Sequence, residues 1–223
     1  MRGVTLTIGV VAQTIGWLIV SGVMISFIEH QVHAQLMHRR NFLSKYTKAY
    51  KRVFESHAIV HHQHYSETFV DEPVPPGEDK EIRLTVIKAP IKVLPLVIGL
   101  ALVSWQWALC FVGMLYFHHW AWNKIHLEMH KPESRGFSRW PVYKFLAQHH
   151  FMHHQYPNKN FNVVFPFADY VLGTAAPKPN SAQMLEMFDL GLVALTPAEV
   201  SVMQADVASK TKKPKVLAEA ALH

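Results

Sequence analysis

Two long apolar stretches dominate the hydrophobic pattern of the chain, and segments rich in histidine and basic residues follow each of them. The first runs from Val4 to Ile28 without a charged residue. At about 1.5 Å per residue, a helix of this length crosses the hydrocarbon core of a bilayer. A signal peptide that starts at Arg2 is the competing interpretation. The apolar part is too long for one, and no small-residue cleavage site follows, so the pattern favours a transmembrane helix.

Basic residues are concentrated just after this first stretch, and only Arg2 precedes it. Six of them follow within a short segment: Arg39, Arg40, Lys45, Lys48, Lys51 and Arg52. Since positively charged flanks stay on the cytoplasmic side of a membrane, we expect residues 30 onward to lie in the cytoplasm.

The second apolar stretch, from Ile91 to about Trp122, has two interpretations. As one long helix it would carry the later histidines to the far side of the membrane. As two helices that turn near residues 104–107, it returns to the side it left. Each arm would then have about fifteen residues, which is short for a full crossing and requires partial entry, tilt or a thinned bilayer. We favour the hairpin because it lets all histidines meet, and its four tryptophans suit either interfacial anchoring or core packing.

The remaining segments are less informative. Asp71–Glu81 is predicted to be a loop because of its prolines and charges. From Ala175 the apolar character is lost, so the predicted domains are residues 1–174 and a C-terminal tail, 175–223, to which we assign no chemistry. Cys110 is the only cysteine, which excludes a disulfide within the chain. The net charge of +6 suits anionic lipid headgroups, and a nucleic-acid interface is not expected because no compact basic stripe lies away from the apolar segments.

The candidate chemistry of the chain lies in its histidines. All sixteen except His223 lie between His30 and His154, and four clusters have helical or near-helical spacing. Residues three or four apart share a helix face, whereas the five-residue spacing of the first cluster suits a helix end or a bent helix. Neutral imidazole is a common ligand of iron, zinc and copper, so the clusters predict a metal centre. The clusters are His33 and His38; His57, His61 and His62; His126 and His130; and His150, His153 and His154.

Ten imidazoles exceed the needs of one ion, since a four-coordinate zinc site uses four ligands at most. The sequence therefore predicts two metal ions with about five nitrogens each. Histidine-rich surroundings without a thiolate favour iron, with zinc and copper as alternatives.

Taken together, these motifs resemble the fatty acid hydroxylase superfamily of integral-membrane proteins, which includes sterol desaturases. The resemblance runs from about Glu29 to Thr174 and includes the segments Tyr156–Phe161 and Asp169–Thr174 after the last cluster. It implies a non-haem di-iron centre held wholly by histidines on the cytoplasmic face of a transmembrane helical fold. It also implies O2-dependent hydroxylation or desaturation of a lipid, with a fatty acyl chain as the first choice. The implied ligands are His33, His38, His57, His61, His62, His126, His130, His150, His153 and His154.

Two ligand positions have alternatives. The second cluster has three intervening residues where many family members have two, which makes His64 the alternative to His57. His149 replaces His150 if that helix is rotated. Asn162 stands where the family usually has a glycine. The roles of His30 and His118 stay open, and His119 is a ligand, a supporting group or a residue of the substrate pocket.

The sequence thus predicts an all-α integral membrane protein with one N-terminal transmembrane helix, a hydrophobic helical hairpin and a cytoplasmic histidine-rich cap. Its partners are expected to be the membrane, a lipid substrate and an external electron-transfer protein of ferredoxin or cytochrome type. The external donor is needed because the chain has no flavin or nicotinamide glycine fingerprint, and an acidic donor would suit the basic cytoplasmic surface. The lipid is expected to enter the hairpin laterally past Phe111, Leu115, Tyr116 and Phe117.

Four carboxylates are candidates to orient the imidazoles: Glu29, Glu55, Glu128 and Asp169. A non-enzymatic role in metal binding or transport is the alternative function. Transporters tend to place their polar ligands in the middle of membrane spans, whereas most histidines here lie outside the apolar stretches.

Overall fold

The computed structural model describes residues 2–66, 68–70, 83–131 and 136–212. All regular secondary structure in these residues is helical, which confirms the predicted all-α class. The loop predicted at Asp71–Glu81 lies outside the described residues.

The first half of the chain is one long helix followed by short ones. Helix α1 begins at Arg2 and ends at Val32, and the helix continues as a π-helical turn over His33–Met37. Helix α2 is capped by Asn41, whose side chain accepts a hydrogen bond from the Ser44 backbone. The elements after the first π-helical turn are α2 (Phe42–Tyr46), α3 (Lys48–Phe54), a second π-helical turn (Glu55–His61) and α4 (His62–His64).

The second half has two long helices, α7 (Trp105–Ile125) and α8 (Pro141–Gln155), and the later histidines lie on these helices or just after α7. Pro141 is the first residue of α8. Proline suits this position because it lacks a backbone N–H, and the first N–H groups of a helix have no acceptor within the helix. The elements are α5 (Ala89–Lys92), α6 (Leu94–Val103), α7 (Trp105–Ile125), 3₁₀ turns at Glu128–His130 and Gly136–Arg139, α8 (Pro141–Gln155), α9 (Phe167–Val171), α10 (Ser181–Asp189) and α11 (Pro197–Lys212).

One helical segment of the described residues, Ile8–Met37, is long and apolar enough to span a membrane. Its length and composition match the transmembrane helix predicted from the sequence. Large apolar side chains on it remain uncovered, and Ile8 and Ile19 are 64% and 63% exposed. Nearer its end, Ile25 and Ser26 are buried against the rest of the protein.

The second apolar stretch is interrupted at Ser104, whose extended backbone separates α6 from α7 and whose hydroxyl caps α7. The break falls at the start of the predicted turn. The arms are unequal, however, with ten residues in α6 and twenty-one in α7 instead of about fifteen each. Helix α7 packs against both α6 and α1, and the rings of Trp17 and Trp107 stack with their centroids 4.6 Å apart.

The residues predicted to line a lipid path fall into two kinds. Phe111 and Leu115 are fully buried in an apolar cluster with Ile25 and therefore act as core packing. Tyr116 and Phe117 are partly exposed on the outer face of α7. Of the four, only these two side chains are accessible at the surface of the described structure.

A second apolar cluster includes Trp122, Phe151 and Val163, and the ring of Trp122 lies 5.0 Å from that of His126. Met187 of α10 is buried in the same cluster, and the Gln148 amide donates to the Leu192 carbonyl at 2.8 Å. Helix α10 and Leu192, which belong to the predicted tail, therefore pack onto the part of the protein that carries the histidines.

Candidate metal centre

Two pairs of histidines spaced five residues apart each span a π-helical turn. The backbone N–H of His38 donates to the carbonyl of His33, and that of His62 donates to the carbonyl of His57. In an α-helix, residues five apart are separated by about 140° around the axis. The i→i+5 bond of a π-helix brings them to the same side instead, so the two rings of each pair face one point. The π-helical turn therefore explains the five-residue spacing of His33 and His38, which does not fit a straight α-helix.

The first group of histidines is built around His33 and His153. One ligand atom from each of four residues, His33, His38, His57 and His153, lies within 4.8 Å of the others. The shortest Nε2–Nε2 separation, 2.7 Å, joins His33 and His57. His62 belongs to the same group, because its Nε2 is 3.1 Å from Nε2 of His153.

The second group lies beside the first and is centred on His150. Its four closest members are His61, His126, His130 and His150. Nε2 of His150 is 3.1 Å from Nε2 of His130 and also 3.1 Å from Nε2 of His154. Eight of the ten predicted ligands therefore form two groups of four that could each hold a metal ion, and we add His62 and His154, which each lie 3.1 Å from one member of a group.

The two groups cut across the clusters seen in the sequence. His61 and His62 are neighbours in the chain but belong to different groups, and His153 is separated in the same way from His150 and His154. The rings of His62 and His154 stack across the boundary with centroids 4.4 Å apart. The groups are therefore adjacent.

Backbone carbonyls fix the orientation of three of these rings. Nδ1–H of His153 donates to the Lys159 carbonyl, and Nδ1–H of His130 donates to the Phe69 carbonyl, each at 2.7 Å. His33 makes the same kind of bond to the Phe161 carbonyl. Because a carbonyl oxygen only accepts, Nδ1 must carry the proton, and the Nε2 lone pair is left to bind a metal.

The electrostatics of the site suit a cation. Lone pairs of neighbouring Nε2 atoms repel at about 3 Å unless a proton or a cation lies between them. Within the described residues, the buried Nε2 atoms of His61 and His126 have no hydrogen-bond partner. A donor set made only of imidazoles fits iron, zinc or copper.

Burial keeps these rings in the neutral form that binds metals. It lowers the pKa of His130 to about 3 and that of His153 to about 4, and in both cases the carbonyl bond opposes the shift. Desolvation and the neighbouring histidines lower the pKa of His38 to about 2 and hold the pKa of His150 well below its ordinary value. At neutral pH these four rings are therefore neutral and do not repel a metal ion.

The histidines that the sequence left open as alternative ligands lie in different places. His149 contacts Asp169 at 3.0 Å, so His150 is the residue that joins the second group. His57 joins the first group, and His64 lies in neither group.

Of the other histidines, His118 lies 3.1 Å from Glu29. His30 lies 2.8 Å from the Thr174 hydroxyl, and His119 contacts His118.

Of the four carboxylates predicted to orient the imidazoles, two do contact imidazoles, but those of histidines outside both groups. Glu55 pairs with Lys51 on the surface, and Glu128 lies 3.7 Å from Lys131. Glu29 and Asp169 are buried against His118 and His149, which belong to neither group. For His33, His130 and His153, the orienting role falls to backbone carbonyls. Every residue has a backbone carbonyl, so the sequence does not show which carbonyl orients which ring.

The depressed pKa values predict that the metal-free protein loses stability in acid. The unfolded chain takes up protons at these histidines below about pH 6.5, whereas folded His153 resists protonation until about pH 4 and His130 until about pH 3. The free energy of unfolding should therefore fall as the pH drops from 6.5 towards 4, by about 1.4 kcal/mol per pH unit for each such ring. Thermal unfolding of chelated protein between pH 7.5 and 4.5 measures this slope.

The matched control for that slope is His130→Asn, which keeps an amide donor for the Phe69 carbonyl but does not titrate. Its slope should be shallower than that of the wild type. If the thermal unfolding midpoint of the chelated wild type stayed constant or rose on acidification, the assignment of these histidine rings as buried and neutral would be contradicted.

Comparison of the chain with models of protein families, with curated proteins and with solved structures finds no match. The resemblance of the histidine motifs to the fatty acid hydroxylase superfamily thus stays a prediction, and the function has to be argued from the site.

Proposed function

We propose that this protein is a membrane-bound oxidoreductase that hydroxylates or desaturates a lipid with O2, using two iron ions held by its ten clustered histidines. A fatty acyl chain is the first substrate to test. The observation that carries the proposal is the pair of adjacent, buried histidine groups.

Iron is the metal that the donor set and the proposed chemistry favour together. Imidazole binds iron, zinc and copper, but zinc has no redox chemistry, and the only cysteine of the chain, Cys110 on α7, belongs to neither group. A pair of reduced iron ions would supply the activation of O2 and the removal of hydrogen from an unactivated C–H bond. The chain's part is to hold ten neutral nitrogens in place and to keep bulk water out. His130, His150 and His153 are fully buried, which supports this role.

The exposed apolar surface supports a membrane location and a lipid substrate. Leu102, Trp105 and Leu109 around the α6–α7 break are 84%, 64% and 62% exposed. Together with α1 they present an apolar exterior that suits lipid better than water. In the proposed arrangement α6 and α7 form a hairpin that enters the bilayer, and the substrate reaches the site laterally.

The position of the histidines relative to α1 favours an enzyme over a transporter. His33 and His38 lie at the end of the apolar segment and not in its middle, where transporters tend to bind their cargo. The basic residues that follow would face the cytoplasm by the positive-inside rule. A surface cleft there is lined by Arg40, Lys45 and Lys51 together with Glu55, and its excess of positive charge suits an acidic electron donor.

The proposal is tested with purified protein in lipid nanodiscs, supplied with a fatty acyl lipid, a ferredoxin, its reductase and 18O2. We expect consumption of O2 and an oxidised lipid. Hydroxylation would place the label in the new hydroxyl group, whereas desaturation would give a double bond and send the label to water. Iron-loaded protein that consumes no O2 with any lipid, but moves metal ions across vesicles, would overturn the proposal in favour of transport.

A further inference from the structure

The segment between α8 and α9, residues 159–165, contacts the first histidine group through its backbone. The carbonyls of Lys159 and Phe161 accept Nδ1–H from His153 and His33, respectively. Both histidines belong to the first group. We call residues 159–165 the orienting segment.

The orienting segment lacks helical hydrogen bonds of its own, so side chains elsewhere must hold it. Asp169 holds its middle: one carboxylate oxygen accepts the Phe161 N–H at 2.9 Å, and the other accepts the Asn162 N–H at 2.8 Å. His149 and the Thr174 hydroxyl hold the carboxylate in turn, at 3.0 and 2.8 Å. Asp169 is completely buried.

Glu29, near the end of α1, holds the far end of the segment. One of its oxygens accepts the N–H groups of Val163 and Val164 at 2.7 and 3.1 Å. The Asn162 side chain links the same parts, because its amide donates to the Ser26 carbonyl at 2.8 Å and lies 3.2 Å from Glu29. The segment is thus fastened to the apolar helix as well as to α9.

Asn160 fixes the near end in a conformation that few residues adopt. Its φ of 52° lies in the left-handed region, which asparagine tolerates better than most side chains. Its amide donates to the His149 carbonyl at 2.9 Å, and its side-chain oxygen accepts the Ala176 N–H at 2.7 Å. The two carbonyls that orient His33 and His153 therefore have a defined position.

In the described residues, no ring of the second histidine group is hydrogen-bonded to the orienting segment, although Asp169 and the Asn160 amide both contact His149, the chain neighbour of His150. His130 is oriented by the Phe69 carbonyl, which lies in a separate part of the chain. Neither Glu29 nor Asp169 is hydrogen-bonded to any of the ten clustered histidines in the described structure.

We propose that Asp169 and Glu29 are positioning residues that act through the orienting segment on the first histidine group alone. This inference rests on the proposed two-metal function. The two ions would then be held by separate parts of the protein. Changes in Asp169 or Glu29 would lower the affinity for one ion and leave the affinity for the other unchanged.

The reason lies in the hydrogen-bonding capacity of a carboxylate. Asp169 accepts four hydrogen bonds, whereas an asparagine in its place would turn an NH2 donor towards groups that also donate. The Phe161 carbonyl would shift, and the His33 ring would lose the bond that sets its orientation. Loss of such an outer support weakens metal binding by about 10–100-fold in known metal sites.

The test is a titration of metal-free wild type, Asp169→Asn and Glu55→Gln with Co²⁺, followed by its visible ligand-field absorption and by counting bound ions. Wild type and Glu55→Gln, a change in a surface carboxylate, should each bind two ions. Asp169→Asn should bind one ion with unchanged affinity and spectrum, and the other about 10–100-fold more weakly. Thr174→Val, which keeps the carboxylate and removes one of its hydrogen bonds, should weaken the same ion to a smaller extent.

Circular dichroism and elution as a single species identify the variants that fold. If Asp169→Asn does not fold, Thr174→Val carries the comparison. Two outcomes in a folded variant would overturn the inference and leave the proposed function intact. One is an equal loss of affinity for both ions, and the other is binding of both ions with wild-type affinity. A wild-type protein that binds no ion would overturn both.

Discussion

Replacement of His153 by alanine is expected to abolish lipid oxidation and to release one of two bound metal ions. Nε2 of His153 lies 3.0 Å from that of His38 and 3.1 Å from that of His62, so the ring is central to the first group. Loss of a group that only orients a ligand lowers metal affinity or activity by about 10–100-fold. Loss of the ligand itself should lower the rate of lipid oxidation by more than about 100-fold. Bound iron per chain and the rate of product formation measure the effect.

The matched control is His119→Ala, which changes a histidine of α7 that belongs to neither group. This variant should keep two bound ions. Both variants should still insert into membranes, because neither change touches α1. If purified His153→Ala oxidised lipid at the wild-type rate, the assignment of the ligands would be wrong.

Removal of the metal is expected to lower the thermal stability of the whole protein. In the metal-free state, the Nε2 lone pairs of the two groups approach one another without a cation between them. An ion that binds only the folded state stabilises it by about 4 kcal/mol when its free concentration is 1,000 times Kd. Since about 1 kcal/mol shifts the unfolding midpoint by about 2–4 °C in proteins of this size, chelation of both ions should lower it by more than about 10 °C.

Reloading the chelated protein with different metals separates the structural effect from the catalytic one. Zinc should restore the unfolding midpoint without restoring oxidation, because it binds imidazole but has no redox chemistry. Ferrous iron should restore both. An unfolding midpoint that does not change after complete removal of the metal would argue against these histidines as ligands.

The pattern of residue types was sufficient to predict much of the candidate site. Imidazole side chains and their helical spacing are visible in the sequence, so the ten clustered histidines could be named without a structure. The uncharged stretch that forms α1 and the break near Ser104 were likewise visible, because charge and hydropathy are local properties. The same reasoning could not exclude His64 or His149, which have suitable spacing but lie outside the two groups.

The orientation of the rings could not be predicted in this way. His33, His130 and His153 are held by carbonyls, and every residue has a carbonyl, so no sequence pattern distinguishes these three. Carboxylates were the natural candidates for this role. Asp169 and Glu29 are buried as expected of important groups, yet they contact the backbone of residues 161–165 and not the clustered rings.

The sequence by itself determined the local patterns of this protein: helical segments, one of them long and apolar enough to cross a membrane, and four clusters of histidines. Only the tertiary structure decided how those imidazoles are divided, and it placed the neighbours His61 and His62 in different groups. The physical reason is that spacing along one helix fixes a face of that helix alone. Which faces meet depends on the packing of separate helices and on the two π-helical turns, and both are set by contacts between residues far apart in the chain.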